Sequence, residues 1–313
     1  MGIQIGVDGG GSKTEIVALD PTGRVLRFIL KPASNYHVVG MEQAVRYIME
    51  GIRETLQEET LEGIGISLAG IDTPEDWKIM ATSLKEALVV LGQKTKIPFQ
   101  NIPVVLENDV FGALMSVQGE FSGNVLAAGT GAVALGINVE GEAIRVGGWG
   151  HLIGDEGSGY DIGRKALTAM AASYDGYGHK SLLETTITKH LGLAQVHEIS
   201  DWLYQNKRTN KEFAALVPVV METARMGDFI SKLILVEAGN ALGLLTRALL
   251  RKTNGLEVGL VGGITYTWEF IESSFLSTVQ EEFPKVQILR PKFSPSVGAA
   301  FLSRISQVRH IVF

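Results

Sequence analysis

The order of apolar and polar positions predicts that the chain opens with three strands. The apolar run before the glycines at 9–11 predicts the first strand, and the β-branched run E-I-V-A-L-D (15–20) predicts the second. That run stops at D-P-T-G (20–23), which is typical of a turn, and V-L-R-F (25–28) follows as the third strand. The segment therefore predicts hairpin strands around a glycine turn, with no helix after the glycines.

Beyond this hairpin, helical and strand patterns alternate. Apolar residues at helical spacing predict helices at 41–56, 77–91, 159–175, 180–191, 211–226, 228–252, 266–282 and 295–308. Short apolar runs predict strands at 64–68, 104–106, 258–261 and 286–289. Such alternation around an opening hairpin is typical of α/β domains with mixed sheets, and 313 residues favour two of them. The cleft between two such domains is the expected ligand site.

An internal repeat supports this division. Residues 5–23 and 124–141 share one plan of strand, small-residue turn, strand, turn and strand. At a constant offset of 118 positions, the matching pairs are Gly11 with Gly129, Ser12 with Thr130, Asp20 with Asn138 and Gly23 with Gly141. These matches favour a duplicated domain over two unrelated hairpins that share common turn residues. The predicted domains are 1–118 and 119–313, and the last helix of the second is free to pack back on the first.

Composition excludes several classes of function. The chain has no cysteine, so disulfides, thiolate zinc sites, cysteine nucleophiles and Cys-ligated iron–sulfur clusters are excluded. A net charge of −6 supplies no basic field for nucleic acid or for an anionic membrane. The most apolar long stretch, 233–250, contains Glu237, Asn240 and Arg247, which predicts a buried helix and not a membrane span. The N-terminus enters a strand directly, and no signal peptide is predicted.

The first glycine turn is a candidate phosphate site. The sequence V-D-G-G-G-S-K-T-E (7–15) departs from the P-loop, because Ser12 stands where that motif has lysine, and from the Rossmann fingerprint, because Thr14 replaces its third glycine. Between two strands, however, successive backbone N–H groups can converge on an anion, and glycine permits the close approach. Asp8 beside phosphate requires a cation, which predicts a Mg²⁺ contact through water. The alternative is a plain hairpin turn with a stabilising aspartate.

Three further stretches carry candidate chemistry. In L-E-N-D-V-F-G-A (106–113), Asp109 follows a strand and starts a helix, which suits either an N-cap or a base that accepts a hydroxyl proton during phosphoryl transfer. In G-G-W-G-H-L-I-G-D-E-G-S-G-Y (147–160), Asp155 and Glu156 suit hydrogen bonds to a polyhydroxylated ligand, whereas His151 has no acid–base partner at helical spacing and favours a structural role. The strand-ending glycines of L-V-G-G-I (260–264) suit a flat ring lying against backbone.

Together these motifs carry a family resemblance. D-G-G-G-S-K-T, A-S-N-Y-H, E-N-D-V-F-G-A, A-A-G-T-G, G-G-W-G-H-L-I-G-D-E-G-S and L-V-G-G, in this order from residue 5 to about 300, resemble the N-acetylglucosamine kinase group of the BadF/BadG/BcrA/BcrD ATPase family. The resemblance implies an α/β fold of two duplicated actin-like ATPase (ribonuclease H-like) domains with a central interdomain cleft. It also implies ATP and Mg²⁺ as cofactors, a sugar substrate phosphorylated at its 6-hydroxyl, and a cytoplasmic homodimer without nucleic-acid or membrane partners.

Carried over by position, the resemblance implies roles for individual residues. The metal is assigned to Asp8, and the nucleotide and its phosphates to Gly10, Gly11, Ser12, Lys13, Thr130, Gly131, Ala224, Gly262 and Gly263. The sugar is assigned to Asn35, Asp109, Gly148, Trp149, Gly150, His151 and Asp155, with Asp109 as the catalytic base. Two departures leave the sugar open: Ala132-Val133 replace a Ser-Asn pair that contacts sugar in the family, and Asn35-Tyr36-His37 replaces an Asn-His-aromatic order.

Other functions compete with a kinase for N-acetylglucosamine. Glucosamine, N-acetylmuramate or a broad range of hexoses are alternative substrates. Activators of radical dehydratases belong to the same family, but they need a Cys-bound cluster that this chain lacks. A sugar- and ATP-sensing regulator is expected to carry a DNA-binding region, and an actin-like assembly protein is expected to lack the glycine-rich sugar loop. An amino-sugar kinase is therefore the favoured interpretation.

Overall fold

The computed structural model describes residues 2–205 and 208–313, and the chain divides into two compact units. The first unit comprises Met1–Gly123 and Arg290–Phe313, and the second comprises Asn124–Leu289. Each unit has its own buried apolar core around its own five-stranded sheet.

The strands and helices are numbered in chain order over the described residues. The strands are β1 (Gly2–Gly9), β2 (Lys13–Leu19), β3 (Val25–Pro32), β4 (Thr60–Leu68), β5 (Val104–Asn108), β6 (Asn124–Ala128), β7 (Ala132–Ile137), β8 (Ala143–Gly147), β9 (Glu257–Val261) and β10 (Gln287–Leu289). The helices are α1 (Tyr36–Val39), α2 (Met41–Thr55), α3 (Pro74–Thr95), α4 (Asp109–Gln118), α5 (Gly159–Asp175), α6 (Leu183–Leu191), α7 (Ile199–Tyr204), α8 (Asn210–Ala214), α9 (Val217–Arg225), α10 (Phe229–Thr253), α11 (Ile264–Gln280) and α12 (Pro295–Leu302).

The two sheets have the same topology. Their strand orders are β3-β2-β1-β4-β5 and β8-β7-β6-β9-β10, with the first three strands of each antiparallel and the last two parallel. The matched turns agree in their hydrogen bonds. Asp20 Oδ1 accepts the N–H groups of Thr22 and Arg24, and Asn138 Oδ1 accepts those of Glu140 and Glu142, 118 positions later. The predicted mixed α/β sheets and the repeated plan of the two units are both present.

The C-terminal segment belongs to the first unit. The sequence put 119–313 in the second domain with a possible return of the last helix, whereas in the structure the second unit runs from Asn124 to Leu289. The backbone of α12 lies directly on β1 and β4, and a Cβ at Gly6 or Gly65 would overlap its carbonyl oxygens. Because only glycine permits so close an approach, Gly6 in β1 and Gly65 in β4 allow α12 to pack against these strands.

The most apolar helix, α10, is part of the core of the second unit. By length and composition it is the one helix among the described residues that could cross a membrane, yet half of its most apolar window is buried inside the protein. Its glycines allow close packing on α11, since a Cβ at Gly243 would lie 2.8 Å from Thr278 Cβ. The predicted buried helix is therefore present at this position.

Candidate active site

The glycine turn of the first unit joins two groups of predicted site residues. It connects β1 to β2, and the N–H of Gly10 donates to the carbonyl of Lys13 at 2.9 Å. The carbonyl of Gly10 accepts the N–H groups of Ser34 at 3.1 Å and Asn35 at 3.2 Å. A Cβ at Gly11 would meet no heavy atom within 4 Å, so the space beside the turn is open. The turn and the segment that carries Asn35 are thus held as one piece.

Asn35 is fixed by its own hydrogen bond and by a glycine that the sequence analysis missed. Its Oδ1 accepts the N–H of His37 at 3.1 Å and so caps α1. Gly70, with φ +91°, lies against it, and a Cβ there would come within 2.8 Å of the same oxygen. The adjacent Tyr36 hydroxyl donates to Asp76, whose side chain is part of the capping box at the N-terminus of α3. No feature of the sequence identifies Gly70, because its partner lies 35 positions away.

Asp8 and Asp109 lie at the same edge of the first sheet. The strands β1, β4 and β5 are parallel, with Asp8 opposite Ser67 and Leu68 opposite Asn108, so their carboxyl ends meet. Asn108 Oδ1 accepts the N–H of Val110 at 3.1 Å and is the N-cap of α4. The N-cap alternative for Asp109 is therefore wrong, because Asn108 is the N-cap and Asp109 is the first residue of the helix.

The charges at this edge favour a cation. Burial, together with the nearby carboxylates of Asp109 and Glu15, raises the pKa of Asp8 to about 7 against the opposing charge of Lys13. The described residues include no group of three or more His, Cys, Asp or Glu side chains placed to hold a metal. Mg²⁺ bound through one or two carboxylates, with water and phosphate as its other ligands, fits this arrangement.

The glycine turn of the second unit is held by the loop that follows β8. Gly129 N–H donates to the carbonyl of Gly131 at 2.9 Å across the turn. From the start of α5, Gly159 N–H donates to the carbonyl of Gly129 at 2.8 Å, and Tyr160 N–H donates to that of Thr130 at 3.1 Å. The first two N–H groups of α5 therefore fix the turn that carries Thr130 and Gly131 against the start of this helix.

Asp155 connects the predicted sugar loop to the glycine turn 129–131. It adopts a left-handed backbone conformation with φ +63°, and its Oδ1 accepts the N–H of Ala132 at 3.1 Å. A Cβ at Gly131 would lie 3.0 Å from its other carboxylate oxygen. Burial raises the pKa of Asp155, against the opposing effects of the Ala132 hydrogen bond and of His151. Strain of this kind in a non-glycine residue is typical of functional sites.

The loop between β8 and Asp155 presents apolar and hydrogen-bonding groups to solvent. Gly147, Gly148 and Gly150 have positive φ, and Trp149 is 75% exposed. Arg145 orders the loop by donating to the carbonyls of Gly147 and Gly148.

His151 is held in one tautomer by residues that the sequence analysis missed. Its Nδ1 lies 2.9 Å from the side-chain Nδ2 of Asn210, and its ring packs edge-on against Tyr160 at 4.9 Å. Because an amide nitrogen only donates, Nδ1 is the acceptor, and in the neutral ring the proton is on Nε2. His151 therefore offers an N–H donor, which a general base would not. Asn210 is 59 positions away and carries no sequence signal.

A cavity of about 370 Å³ lies within the second unit beside the glycine turn. Its walls come from the turn and from five helices, and its lining residues are Ala128, Gly129, Thr130, Gly157, Gly159, Ile162, Ala214, Val217, Pro218, Met221, Leu242, Gly263, Ile264, Tyr266 and Thr267. Gly262 turns the chain at φ +92°, where a Cβ would lie 2.6 Å from the carbonyl oxygen of Ala128. Ala224, which was assigned to the nucleotide, is fully buried in the core of the second unit and is not among the residues that line the cavity.

Sequence comparisons find relatives along the whole chain. The BadF/BadG/BcrA/BcrD ATPase family matches residues 5–303. The N-acetyl-D-glucosamine kinase of Dictyostelium discoideum is 36% identical over 321 positions, covering 96% of this chain and 97% of that protein. The N-acetylmuramic acid/N-acetylglucosamine kinase of Clostridium acetobutylicum is 34% identical over 309 positions, again covering 96% and 97%.

Solved structures agree in fold. A provisionally assigned N-acetylglucosamine kinase from Chromobacterium violaceum superposes with a TM-score of 0.75 at 23% identity, covering 96% of this chain and 98% of that one. A ROK-family glucokinase from Streptomyces griseus, solved with glucose and AMPPNP, superposes with a TM-score of 0.62 at 20% identity, covering 96% and 99%. The predicted actin-like ATPase fold is confirmed.

Proposed function

Because this chain belongs to the BadF/BadG/BcrA/BcrD ATPase family, we propose that it is an ATP-dependent kinase that phosphorylates the 6-hydroxyl of an amino sugar, with N-acetylglucosamine as the preferred substrate. The observation that carries the proposal is the cavity of about 370 Å³ that Gly129 and Thr130 of the glycine turn help to line. A cavity of this size suits a nucleoside, and the adjoining turn suits its phosphates. Two relatives above 30% identity and named as kinases of such sugars support the choice of acceptor.

The nucleotide is bound by two kinds of surface. The apolar walls of the cavity take the base, with Gly262 and Gly263 at its edge. The residues proposed to bind the phosphates are Thr130 and Gly131 of the turn after β6, and Gly10, Gly11, Ser12 and Lys13 of the turn between β1 and β2. Asp8 would hold Mg²⁺ through water, and the ion, when bound, would neutralise charge on the transferring phosphoryl group.

The sugar is oriented by side chains whose own positions are fixed. His151 donates from Nε2–H to a sugar oxygen, because Asn210 occupies its other nitrogen. Asn35, Asp155 and the loop from Gly148 to Gly150 supply the remaining contacts. Asp109 positions the acceptor hydroxyl and takes its proton, a role that in a loose phosphoryl-transfer transition state is completed late. The enzyme is proposed to work as a cytoplasmic homodimer.

Two substrate assignments are separable by experiment. A site that hydrogen-bonds a 2-acetamido group rejects sugars without it, since its own polar groups are left unpaired. N-Acetylmuramate is the second candidate, because the Clostridium relative is named for it. A kinase assay with Mg²⁺-ATP across glucose, glucosamine, N-acetylglucosamine, N-acetylmannosamine and N-acetylmuramate should give the highest kcat/KM for N-acetylglucosamine. Equal or better kcat/KM for glucose would refute the amino-sugar assignment.

Asp109→Asn tests the mechanism within the same assay. The variant keeps the shape of the side chain but cannot accept a proton, so kcat should fall by roughly 10²–10⁴-fold. Thermal stability should remain near wild type, because Asn108 caps the helix. Asp20→Asn is the matched control, since Asn138 already occupies the equivalent turn in the second unit. If Asp109→Asn retained the kcat of Asp20→Asn, Asp109 would not be the base.

A further inference from the structure

Asp155 has a backbone conformation that is rare in this chain. Among the described residues, Lys96, Asn254 and Asp155 are the non-glycine residues with positive φ, and the first two are C-caps of helices. Asp155, at φ +63°, stands before a helix instead, and its carbonyl accepts the N–H of Ser158, the N-cap of α5, at 3.1 Å. This conformation is unfavourable for most side chains and persists only where other contacts hold it.

The contact that holds Asp155 is with the peptide unit that closes the glycine turn 129–131. Asp155 Oδ1 accepts the N–H of Ala132, the first residue of β7, at 3.1 Å. The carbonyl of the same peptide unit, which belongs to Gly131, accepts the N–H of Gly129 at 2.9 Å. The peptide between Gly131 and Ala132 is therefore fixed on both sides, by the turn itself and by the Asp155 side chain.

Gly131 provides the space that the Asp155 carboxylate needs. A Cβ at Gly131 would lie 3.0 Å from Oδ2 and 3.1 Å from Oδ1 of Asp155. Gly131 is not among the residues with positive φ, so its own backbone conformation does not require glycine. The absence of a side chain at Gly131 is instead explained by the carboxylate that lies beside it.

The position of this peptide matters for an anion at the turn. Among the described residues, none accepts a hydrogen bond from the N–H of Thr130 or Gly131. Successive backbone N–H groups bind an anion when they converge on it, so their directions determine the affinity. A carboxylate accepts up to about four hydrogen bonds, so Asp155 can bind Ala132 and still contact a sugar hydroxyl.

We propose that Asp155 is a positioning residue for the glycine turn 129–131, in addition to its proposed contact with the sugar. Its carboxylate holds the peptide between Gly131 and Ala132, and nucleotide phosphates bind tightly only while that peptide is held. This inference rests on the proposed phosphoryl-transfer function. It assigns Asp155 an effect on nucleotide binding that is present without any sugar.

The test compares Asp155→Gly with Asp155→Asn. Glycine and asparagine both tolerate positive φ, but only asparagine keeps an oxygen that accepts the Ala132 N–H. The Kd of a non-hydrolysable ATP analogue with Mg²⁺, measured without sugar, should rise roughly tenfold or more in Asp155→Gly and less than about threefold in Asp155→Asn. Asn254→Gly is the matched control, because it exchanges a residue at φ +55° outside the cavity lining and should leave this Kd unchanged.

A double-mutant cycle with Gly131→Ala isolates the contact. In the wild-type background the new methyl group forces the carboxylate to shift, and analogue binding should weaken. In the Asp155→Gly background no carboxylate meets the methyl group, so the same substitution should cost at least about threefold less in Kd. Additive effects of the two substitutions would contradict the inference.

The remaining outcomes separate this inference from the proposed function. An unchanged analogue Kd in Asp155→Gly would show that Asp155 serves the sugar alone, and an equal loss in Asp155→Asn would show that the acceptor oxygen is not the cause; either result overturns the inference. If wild type bound no nucleotide, or phosphorylated no amino sugar, the proposed function would fail. Hydrogen exchange at Ala132 still decides the positioning role in that case: its amide should exchange at least about tenfold faster in Asp155→Gly than in Asp155→Asn, and equal rates would refute that role.

Discussion

The ion pair between Glu107 and Arg309 holds the C-terminal segment against the strand that leads to Asp109. Glu107 lies in β5 with its side chain 4% exposed, and Arg309 is 41% exposed. Glu107 Oε1 accepts the backbone N–H of Arg309 at 2.9 Å, and Oε2 accepts its guanidinium Nε at 3.0 Å. The guanidinium also lies 5.5 Å over the Trp77 ring. Arg309→Met removes the charge while keeping much of the apolar stem.

The expected cost follows from what this substitution leaves behind. Breaking a buried pair by removing one partner costs about 3–5 kcal/mol, because the other charge stays buried and unpaired. Here Oε1 keeps its bond to the main-chain N–H of residue 309, and water already reaches part of the guanidinium site. Both facts reduce the cost, so we expect Arg309→Met to lower the free energy needed for local opening of this edge by about 2–3 kcal/mol. That range corresponds to roughly a 30–150-fold change in an equilibrium constant.

Native-state hydrogen exchange measures this opening directly. Leu106 N–H donates to the carbonyl of Arg309 at 3.1 Å, and Ile311 N–H donates to that of Val104 at 2.8 Å. In Arg309→Met both amides should exchange faster by roughly 30–150-fold. Arg304→Met is the matched control, since Arg304 lies 5.5 Å over the Phe301 ring in the same segment. If the two variants exchanged equally at Leu106 and Ile311, the Glu107 pair would contribute nothing to the edge.

Two further predictions concern stability. Gly65→Ala should lower the unfolding free energy of the first unit by at least about 3 kcal/mol, because the new methyl group would overlap the carbonyl of Ala299 in α12. Thermal unfolding of this variant is compared with that of Gly11→Ala, whose methyl group would meet no heavy atom within 4 Å. Equal unfolding midpoints for the two variants would contradict the prediction. Asp228 caps α10, and although burial opposes it, hydrogen bonds from Leu182 and Ser231 hold its pKa below the usual 3.8. The Asp228 carboxylate therefore stabilises the fold at pH values above its pKa in the unfolded chain, and this stabilisation is lost as pH falls through its pKa in the folded protein. The difference in unfolding free energy between wild type and Asp228→Asn should be larger at neutral pH than at about pH 3. An advantage that is independent of pH would exclude a role for the charge.

Local sequence patterns predicted most elements because their boundary signals are local. The helix predicted at 159–175 is α5, which Ser158 caps and Gly176 ends in a left-handed conformation. The single helix predicted at 211–226 is wrong, since the structure has α8 and α9 with a break at Ala215 and Leu216. Pro218 accounts for the break, because proline fits the first turn of a helix and disrupts an interior.

The contacts that assemble the candidate site are mostly nonlocal. The αL conformation of Asp155 and the bond between His151 and Asn210 depend on residues brought together only by the folded second unit. In the same way, Asn108 and Asp109 both follow the apolar residues of β5, so the sequence alone does not show which of them caps α4; the structure shows that it is Asn108. Sequence motifs thus predicted which loops carry chemistry, and the structure shows which polar groups in those loops already have hydrogen-bond partners.

Ala132 and Val133, which together form the first departure from the family pattern, have different consequences for the proposed sugar site. Ala132 is buried, and it takes part in the site through its backbone, donating to Asp155 at 3.1 Å and accepting from Gly148 N–H at 3.1 Å. These bonds need no side chain, so replacing serine by alanine at 132 preserves the docking of the loop. Val133 is different, because its side chain packs under Gly148, where a Cβ would lie 2.9 Å from Val133 Cγ2. If the proposed sugar site includes position 133, as the family resemblance implies, an apolar branched group there favours an apolar substituent on the sugar over a polar one. Val133→Asn should therefore shift the ratio of kcat/KM for N-acetylmuramate to that for N-acetylglucosamine toward N-acetylglucosamine in the sugar panel, and an unchanged ratio would contradict this role of Val133.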